Sequence, residues 1–219
     1  MTDRSGKRLS SLETTGIPAY LHVSPDGLKV ALAENSAGGE TLEIWIYDLS
    51  KRARSKITIG GRGVSPIWSP DGSQLAFSSV RTGMANMYVK PATGAAEEQP
   101  LHATTDDERA QSWSPDGRYL VLDSRPQSRL GLPQIAILPM MGDRKPFPYL
   151  NSAHINSGGQ VSPDGRWLAY GSNETGRMEV YVSSFPQAKG KWQVSFTGGQ
   201  SPRWCKDGRE LFYSRTDGL

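Results

Sequence analysis

The chain holds three histidines, one cysteine and an acidic triplet, and these bound what chemistry it can carry. His22, His102 and His154 fall in no H-E-x-x-H and no Cys–His spacing of the kind a zinc site uses. His22 stands three residues before a proline and His154 in a later loop. If both reached one rim they would offer two nitrogens, but solvent suffices as their partner. No metal and no cofactor is therefore expected. Asp106, Asp107 and Glu108 are contiguous, which suits a solvated loop better than an acid–base pair converging on a substrate. No G-x-S-x-G nucleophile elbow occurs. The nearest string, Gly61-Arg62-Gly63-Val64-Ser65-Pro66, also fails the dinucleotide pattern, because its sixth residue is proline. Cys205 alone makes neither a disulfide nor a thiolate cluster. Asn173-Glu174-Thr175 is a glycosylation sequon that a bacterial or cytosolic source would leave unused.

Carboxylates do recur elsewhere, and their recurrence is structural. Asp26, Asp71, Asp116 and Asp164 each sit in the string S-P-D-G, and Asp207 in the degenerate Cys205-Lys206-Asp207-Gly208. Successive spacings are 45, 45, 48 and 43 residues. Proline suits the second position of a tight turn and glycine accepts the positive φ that follows, while serine and aspartate bond the turn's own amides. These aspartates are thus expected to hold hairpins rather than to catalyse.

Each turn is preceded by a short strand ending in Val23, Trp68, Trp113, Val161 or Trp204, and followed by an alternating one such as QLAFSS or WLAYGS. A glycine-bearing loop, an aromatic third strand (LEIWIYDL, NMYVKPA, QIAILPM, EVYVSSF) and a fourth strand (SKITIG, QPLHAT, PFPYL, WQVSFTG) complete the period. Four antiparallel strands every 45 residues or so read as a β-propeller blade. The fold class expected is all-β, one propeller domain over residues 1–219, with Trp68, Trp113, Trp204, Tyr47, Tyr88 and Tyr181 in the packing between blades. Four blades are expected over 22–61, 66–105, 111–152 and 159–197. A fifth is split, with its inner strands near Arg203–Trp204 and Glu210–Ser214. Segments near Thr2–Ser5 and Arg8–Leu12 would supply its outer strands and remove an exposed edge. A six-bladed ring remains open if the chain is a fragment.

Composition agrees with this reading. Basic and acidic residues, 25 and 22, are interspersed for a net charge of +3, without the basic stripe of a nucleic-acid surface. No apolar run approaches the ~20 residues of a membrane span, and no signal-peptide core precedes residue 20.

The repeated W-S-P-D-G-x-x-L-A-F wording with its aromatic third strand resembles the TolB-type β-propeller repeat. SPDGRWLAYGSNETGRMEVYVSSFP, GKWQVS and WCKDGRELFYS resemble more particularly the propeller behind the kinase domain of some bacterial membrane-anchored serine/threonine kinases. The resemblance implies a periplasmic or extracytoplasmic setting and a face that engages protein partners.

Strand order puts the S-P-D-G turns on one face of the ring. The blade-to-blade connections lie on the other, with the loops between second and third strands. The second face carries the more varied polar loops, where binding resides on rigid scaffolds. Its residues nearest the channel are expected to be Tyr20, His22, Arg62, Arg109, Gln111, His154, Asn156, Gln200 and Arg203. Their cations favour an acidic segment or a carboxyl terminus. The expected function is a non-catalytic, monomeric scaffold or sensor propeller that takes a protein, peptide or small ligand. The alternatives are a lyase or hydrolase using His22 and His154, or the accessory propeller of a peptidase or kinase.

Overall fold

A computed structural model describes residues 12, 14, 16–35, 41–58, 63–81, 83–102, 104–127 and 131–215. The first sheet runs β1 (Pro18–Val23), β2 (Lys29–Asn35), β3 (Leu42–Asp48) and β4 (Ala53–Lys56). The second has β5 (Gly63–Trp68), β6 (Gln74–Ser79), β7 (Asn86–Pro91) and β8 (Gln99–His102). The third has β9 (Asp107–Trp113), β10 (Tyr119–Arg125), β11 (Gln134–Pro139) and β12 (Phe147–Pro148). β13 (Asn156–Val161), β14 (Trp167–Ser172), β15 (Glu179–Ser184) and β16 (Lys191–Gln193) form the fourth, and β17 (Gln200–Trp204) and β18 (Leu211–Ser214) pair as a two-stranded fifth. Every sheet is an antiparallel meander in sequence order. This is the four-stranded blade that the period demanded. The segments expected to complete the fifth blade lie outside the described residues except for Leu12, which packs on Val30, Leu32 and Tyr47.

The S-P-D-G strings fold as expected. In the first, the Gly27 amide donates to the Ser24 carbonyl at 2.9 Å, and the Leu28 amide to Asp26 Oδ1 at 2.9 Å. Ser24 Oγ accepts the Lys29 amide at 2.9 Å and donates to Asp26 Oδ1 at 2.5 Å. The same bonds recur around Ser69, Ser114 and Ser162. Donors crowding these carboxylates hold Asp71 and Asp164 at about 2, the serine hydroxyl being the largest cause in each. At the fifth turn Cys205 keeps the backbone bonds, and Asp207 still accepts the Arg209 amide at 3.0 Å.

Apolar alternation builds one core per pair of neighbouring sheets. Between the first and second sheets lie Ala31, Ala33, Ile44, Ile46 and Ile57 against Trp68, Leu75 and Phe77. Between the second and third lie Ile67, Ala76, Met87, Val89 and Leu101 against Ala110, Leu120, Leu122 and Leu138. Val121, Ile135, Ile137 and Tyr149 meet Leu168, Tyr170, Tyr181 and Phe185 in the next. Each strand of a blade thus gives alternate residues to opposite neighbours, as the pleat requires. Tyr88 and Tyr181 face Phe77 and Tyr170 across the second strand of their blades, but the residue so placed in the first blade is Trp45, opposite Leu32. Tyr47 sits one pleat further on, opposite Val30. Both positions share a face, so period-2 patterning does not tell them apart.

The inner strands start three to four residues earlier than expected, at Pro18, Gly63, Asp107, Asn156 and Gln200. Each carries a bulge that interrupts the alternation. In four of them a residue of positive φ sits in the bulge: Tyr20, Ser65, Gly158 and Ser201. Bonds between inner strands tie the blades at the axis. Trp68 Nε1 donates to the His22 carbonyl at 3.1 Å, and Trp204 Nε1 to the Gln160 carbonyl at 3.0 Å. Gln160 Nε2 donates to the Gln111 carbonyl at 2.6 Å, and Ser112 Oγ to the Gly159 carbonyl at 3.0 Å. Lys206 Nζ, at 3.4 Å from the Pro25 carbonyl, brings the fifth turn beside the first. Trp204→Phe keeps most of the apolar contact but removes the donor, and should cost about 1–2 kcal/mol in chemical denaturation followed by circular dichroism. An unchanged midpoint would show that this bond does not brace the fifth sheet.

Candidate functional site

The repeated bulges matter because a bulge re-aims side chains and leaves ladder groups unpaired. Here they do so at the same height in all five inner strands, where the channel opens on the face carrying the blade connections. Tyr20 and Arg109 come from the first and third sheets, and Arg109 Nη1 donates to the Tyr20 hydroxyl at 3.0 Å. Arg109 also lies 3.7 Å from Asp107 and remains 45 % exposed.

At the centre of this group is a residue that the motif reading missed, Asp123, on β10. Its Oδ2 accepts from Gln111 Nε2 at 2.9 Å. The Gly158 amide reaches both of its oxygens, at 3.0 and 3.2 Å. Gly158 has φ +71, the left-handed conformation that glycine adopts without a side-chain penalty, and this turns its N–H toward the carboxylate. Burial pushes Asp123 up to about 7, against the pull of the Gly158 amide and of the Arg109 and Arg203 guanidinium groups. Arg203 is itself drawn below its usual range by burial, with Asp123 opposing the shift. A signal for Asp123 does exist. The S-P-D-G register aligns it with Ala33, Ser78, Gly171 and Ser214, so a carboxylate stands where every other repeat has a small residue.

The remaining expected site residues divide. His22 is half-buried, and its Nδ1 accepts the Trp68 amide at 3.3 Å. Burial, then the nearby Arg203 charge, lowers it to about 4, so it is a neutral acceptor at pH 7. Gln111 is engaged with Asp123, Gln200 is exposed at the fifth inner strand, and Arg203 beside it has an exposed outer surface while its guanidinium is partly desolvated, with Nη1 donating to the Pro202 carbonyl at 2.8 Å. His154 is exposed in the connection to the fourth blade. Asn156 does not face the channel as expected. It is buried, and its amide donates to Gln134 Oε1 at 3.2 Å and to the His154 carbonyl at 2.9 Å. Its role is to hold the connection that carries His154. Arg62 lies outside the described residues.

Beside the axis, a cavity of about 270 Å³ is lined by Asp107, Arg109, Asp123, Ser124, Arg125 and Pro133, together with Ser157. Chemically the mouth and this cavity therefore combine the guanidinium groups of Arg109, Arg125 and Arg203 with a phenol, amides and the carboxyls of Asp107 and Asp123, open to solvent on one side. That set binds anions and hydrogen-bonding chains. Among the described residues no three His, Cys, Asp or Glu side chains converge as metal ligands. None of the described elements is a helix long and apolar enough to cross a membrane.

Comparison with known proteins agrees with this architecture. Residues 4–138 match the family model described as the TolB beta propeller domain. The chain is 29% identical over 172 residues to the Tol-Pal system protein TolB of Francisella tularensis subsp. tularensis, covering 78% of this chain and 39% of that protein. It thus spans about two fifths of the length of that relative. The crystal structure of TolB from Acinetobacter baumannii superposes with a TM-score of 0.81 at 23% identity, over 99% of this chain and 53% of that one. A putative TolB from Agrobacterium tumefaciens gives 0.79 at 20% identity, over 94% and 73%.

Proposed function

The chain belongs to the TolB β-propeller domain family, and from that premise we propose that it is a non-catalytic binding propeller whose channel mouth takes an acidic protein segment or a carboxyl terminus. The observation that carries this reading is the pair Arg109 and Arg203 flanking Asp123, with the Tyr20 hydroxyl held on Arg109. Guanidinium groups present paired donors that match a carboxylate, and neither is locked into a buried ion pair. The repeated aspartates and His22 already have structural partners: the aspartates accept turn amides, and His22 Nδ1 accepts a backbone N–H. Relatives named for the Tol-Pal system support a partner-binding role over an enzymatic one.

The test is a fluorescently labelled, glutamate-rich peptide with a free carboxyl terminus, titrated by anisotropy at low and at physiological salt. Arg109→Ala and Arg203→Ala should each weaken binding about tenfold, the loss of one charge-assisted contact. The salt dependence should flatten with each cation removed. Binding that is unchanged in both variants would remove this face from consideration.

A further inference from the structure

A second cavity, of about 360 Å³, lies between the second and third sheets, away from the axis. Its charged and titratable lining is His102, Asp106, Glu108 and Lys145, with Thr104, Ser124 and Gln134 as neutral polar neighbours, and its apolar walls include Ile135 and Phe147. Glu108 is only 2 % exposed, yet its Oε2 has no hydrogen-bond partner among the described residues. Its Oε1 is 3.6 Å from His102 Nε2, beyond hydrogen-bonding range. A buried acceptor left unpaired costs about 1–3 kcal/mol, more for a charged group, so an orphan of this kind calls for a reason.

The fold itself does not require it. The Glu108 amide donates to the Ala85 carbonyl at 2.9 Å, just as the Asn156 amide donates to the Pro133 carbonyl in the next blade. At that matching position the Asn156 side-chain amide donates to Gln134 Oε1 on β11 and to the His154 carbonyl of the connection. The repeat therefore can satisfy a polar side chain here, and in the second connection it instead places a carboxylate against a cavity.

We propose that this cavity receives an aliphatic cation, an alkyl chain ending in an ammonium or guanidinium group. The cationic head meets Glu108 Oε2, with Asp106 as the second acid of the cavity and its Oδ2 taking the Ser124 hydroxyl at 3.4 Å. Phe147, Ile135 and the neighbouring prolines Pro126 and Pro146 line the path of the chain. His102 is lowered by burial, with Asp106 opposing, so it does not compete as a cation. A bare metal ion fits less well, because these acids and His102 do not converge as a ligand set. Lys145, exposed at the rim, is the built-in competitor for the same acids.

The experiment titrates the full chain with n-butylammonium and ethylguanidinium, with 1-butanol as the neutral control, and follows amide shifts by NMR. Saturable shifts around Glu108 are expected, at least tenfold tighter for the cations than for butanol. Glu108→Gln, which keeps shape and removes charge, should weaken cation binding at least tenfold. Butanol binding as tightly as the cations, or Glu108→Gln binding them equally, overturns the proposal. If Glu108→Gln fails to fold, Lys145→Ala decides instead. It should bind about threefold tighter at low salt, and no tightening counts against the site. A capped Gly-Gly-Lys-Gly-Gly peptide separates the sources. Tighter binding of the peptide assigns the cation to a protein side chain, tighter binding of butylammonium to a free amine, and either result sustains the site.

Discussion

Phe77→Ala is expected to destabilise the propeller by about 3–5 kcal/mol, the range for deleting a fully buried aromatic ring. Phe77 has no exposed surface, and its ring stacks on Tyr88 with centroids 6.1 Å apart and 20° between planes. Around it are Ile44, Ile46 and Ile57 of the first sheet and Trp68 and Leu75 of its own. The ring is thus the second sheet's main insertion into the first. The site cannot collapse around the lost volume, because its walls are β-sheet backbones pinned by their own ladders and by the Trp68–His22 bond. Phe77→Leu, which leaves a smaller void, should recover more than half of the loss. Urea denaturation monitored by circular dichroism reads both values. A cost below about 1 kcal/mol for Phe77→Ala would mean that the first two sheets repack, and that the pairwise cores are less rigid than close packing implies.

The same alternation explains what the residue pattern reveals and what it hides. The S-P-D-G turns fix where strands meet, because serine, proline, aspartate and glycine each have one job in that loop. Blade identity and strand order follow from them. The bulges are hidden. Three of their four positive-φ residues are Tyr20, Ser65 and Ser201, so no glycine marks them, and a two-residue irregularity resembles a late strand start. Because the bulges set which side chains reach the channel, a face estimated from strand direction draws in Asn156, whose buried amide is bound to Gln134 and the His154 carbonyl. Asp123 escapes for another reason, and for the same reason Glu108 is misjudged: the acidic triplet suggests a solvated loop, whereas Glu108 lies on β9 and is only 2 % exposed. Each is a carboxylate whose significance lies in burial, and alternation reports which face a residue takes without reporting how little water reaches it.

Asp123→Asn should flatten part of the pH dependence of stability and raise the melting temperature at pH 8. An unfolded aspartate titrates near 3.9, whereas in the fold burial holds Asp123 at about 7. Between those values the folded chain keeps a proton that the unfolded chain has lost, so stability is full below about 4 and falls as pH rises through 7. The side chain is partly open to solvent, and the loss is on the order of 1–3 kcal/mol after that screening. Asparagine keeps an oxygen for Gln111 and Gly158 and has no proton to lose, so the variant gains by that amount at pH 8 and nothing at pH 4. Glu108, raised to about 7 by burial and then by Asp106, adds a fall of the same sign, and His22, lowered to about 4, adds an opposing rise. Both are common to wild type and variant, so the difference between their melting curves isolates Asp123. The proposed ligand should follow the same proton. As Asp123 takes up a proton below about 7, Arg203 loses its neighbouring anion and Arg109 keeps only Asp107, so the glutamate-rich peptide should bind roughly fivefold tighter at pH 6 than at pH 8. In Asp123→Asn the two affinities should be equal. A variant that keeps the wild-type pH dependence in both measurements would mean that Asp123 is ionised in the fold and that the mouth's charge does not change near neutrality.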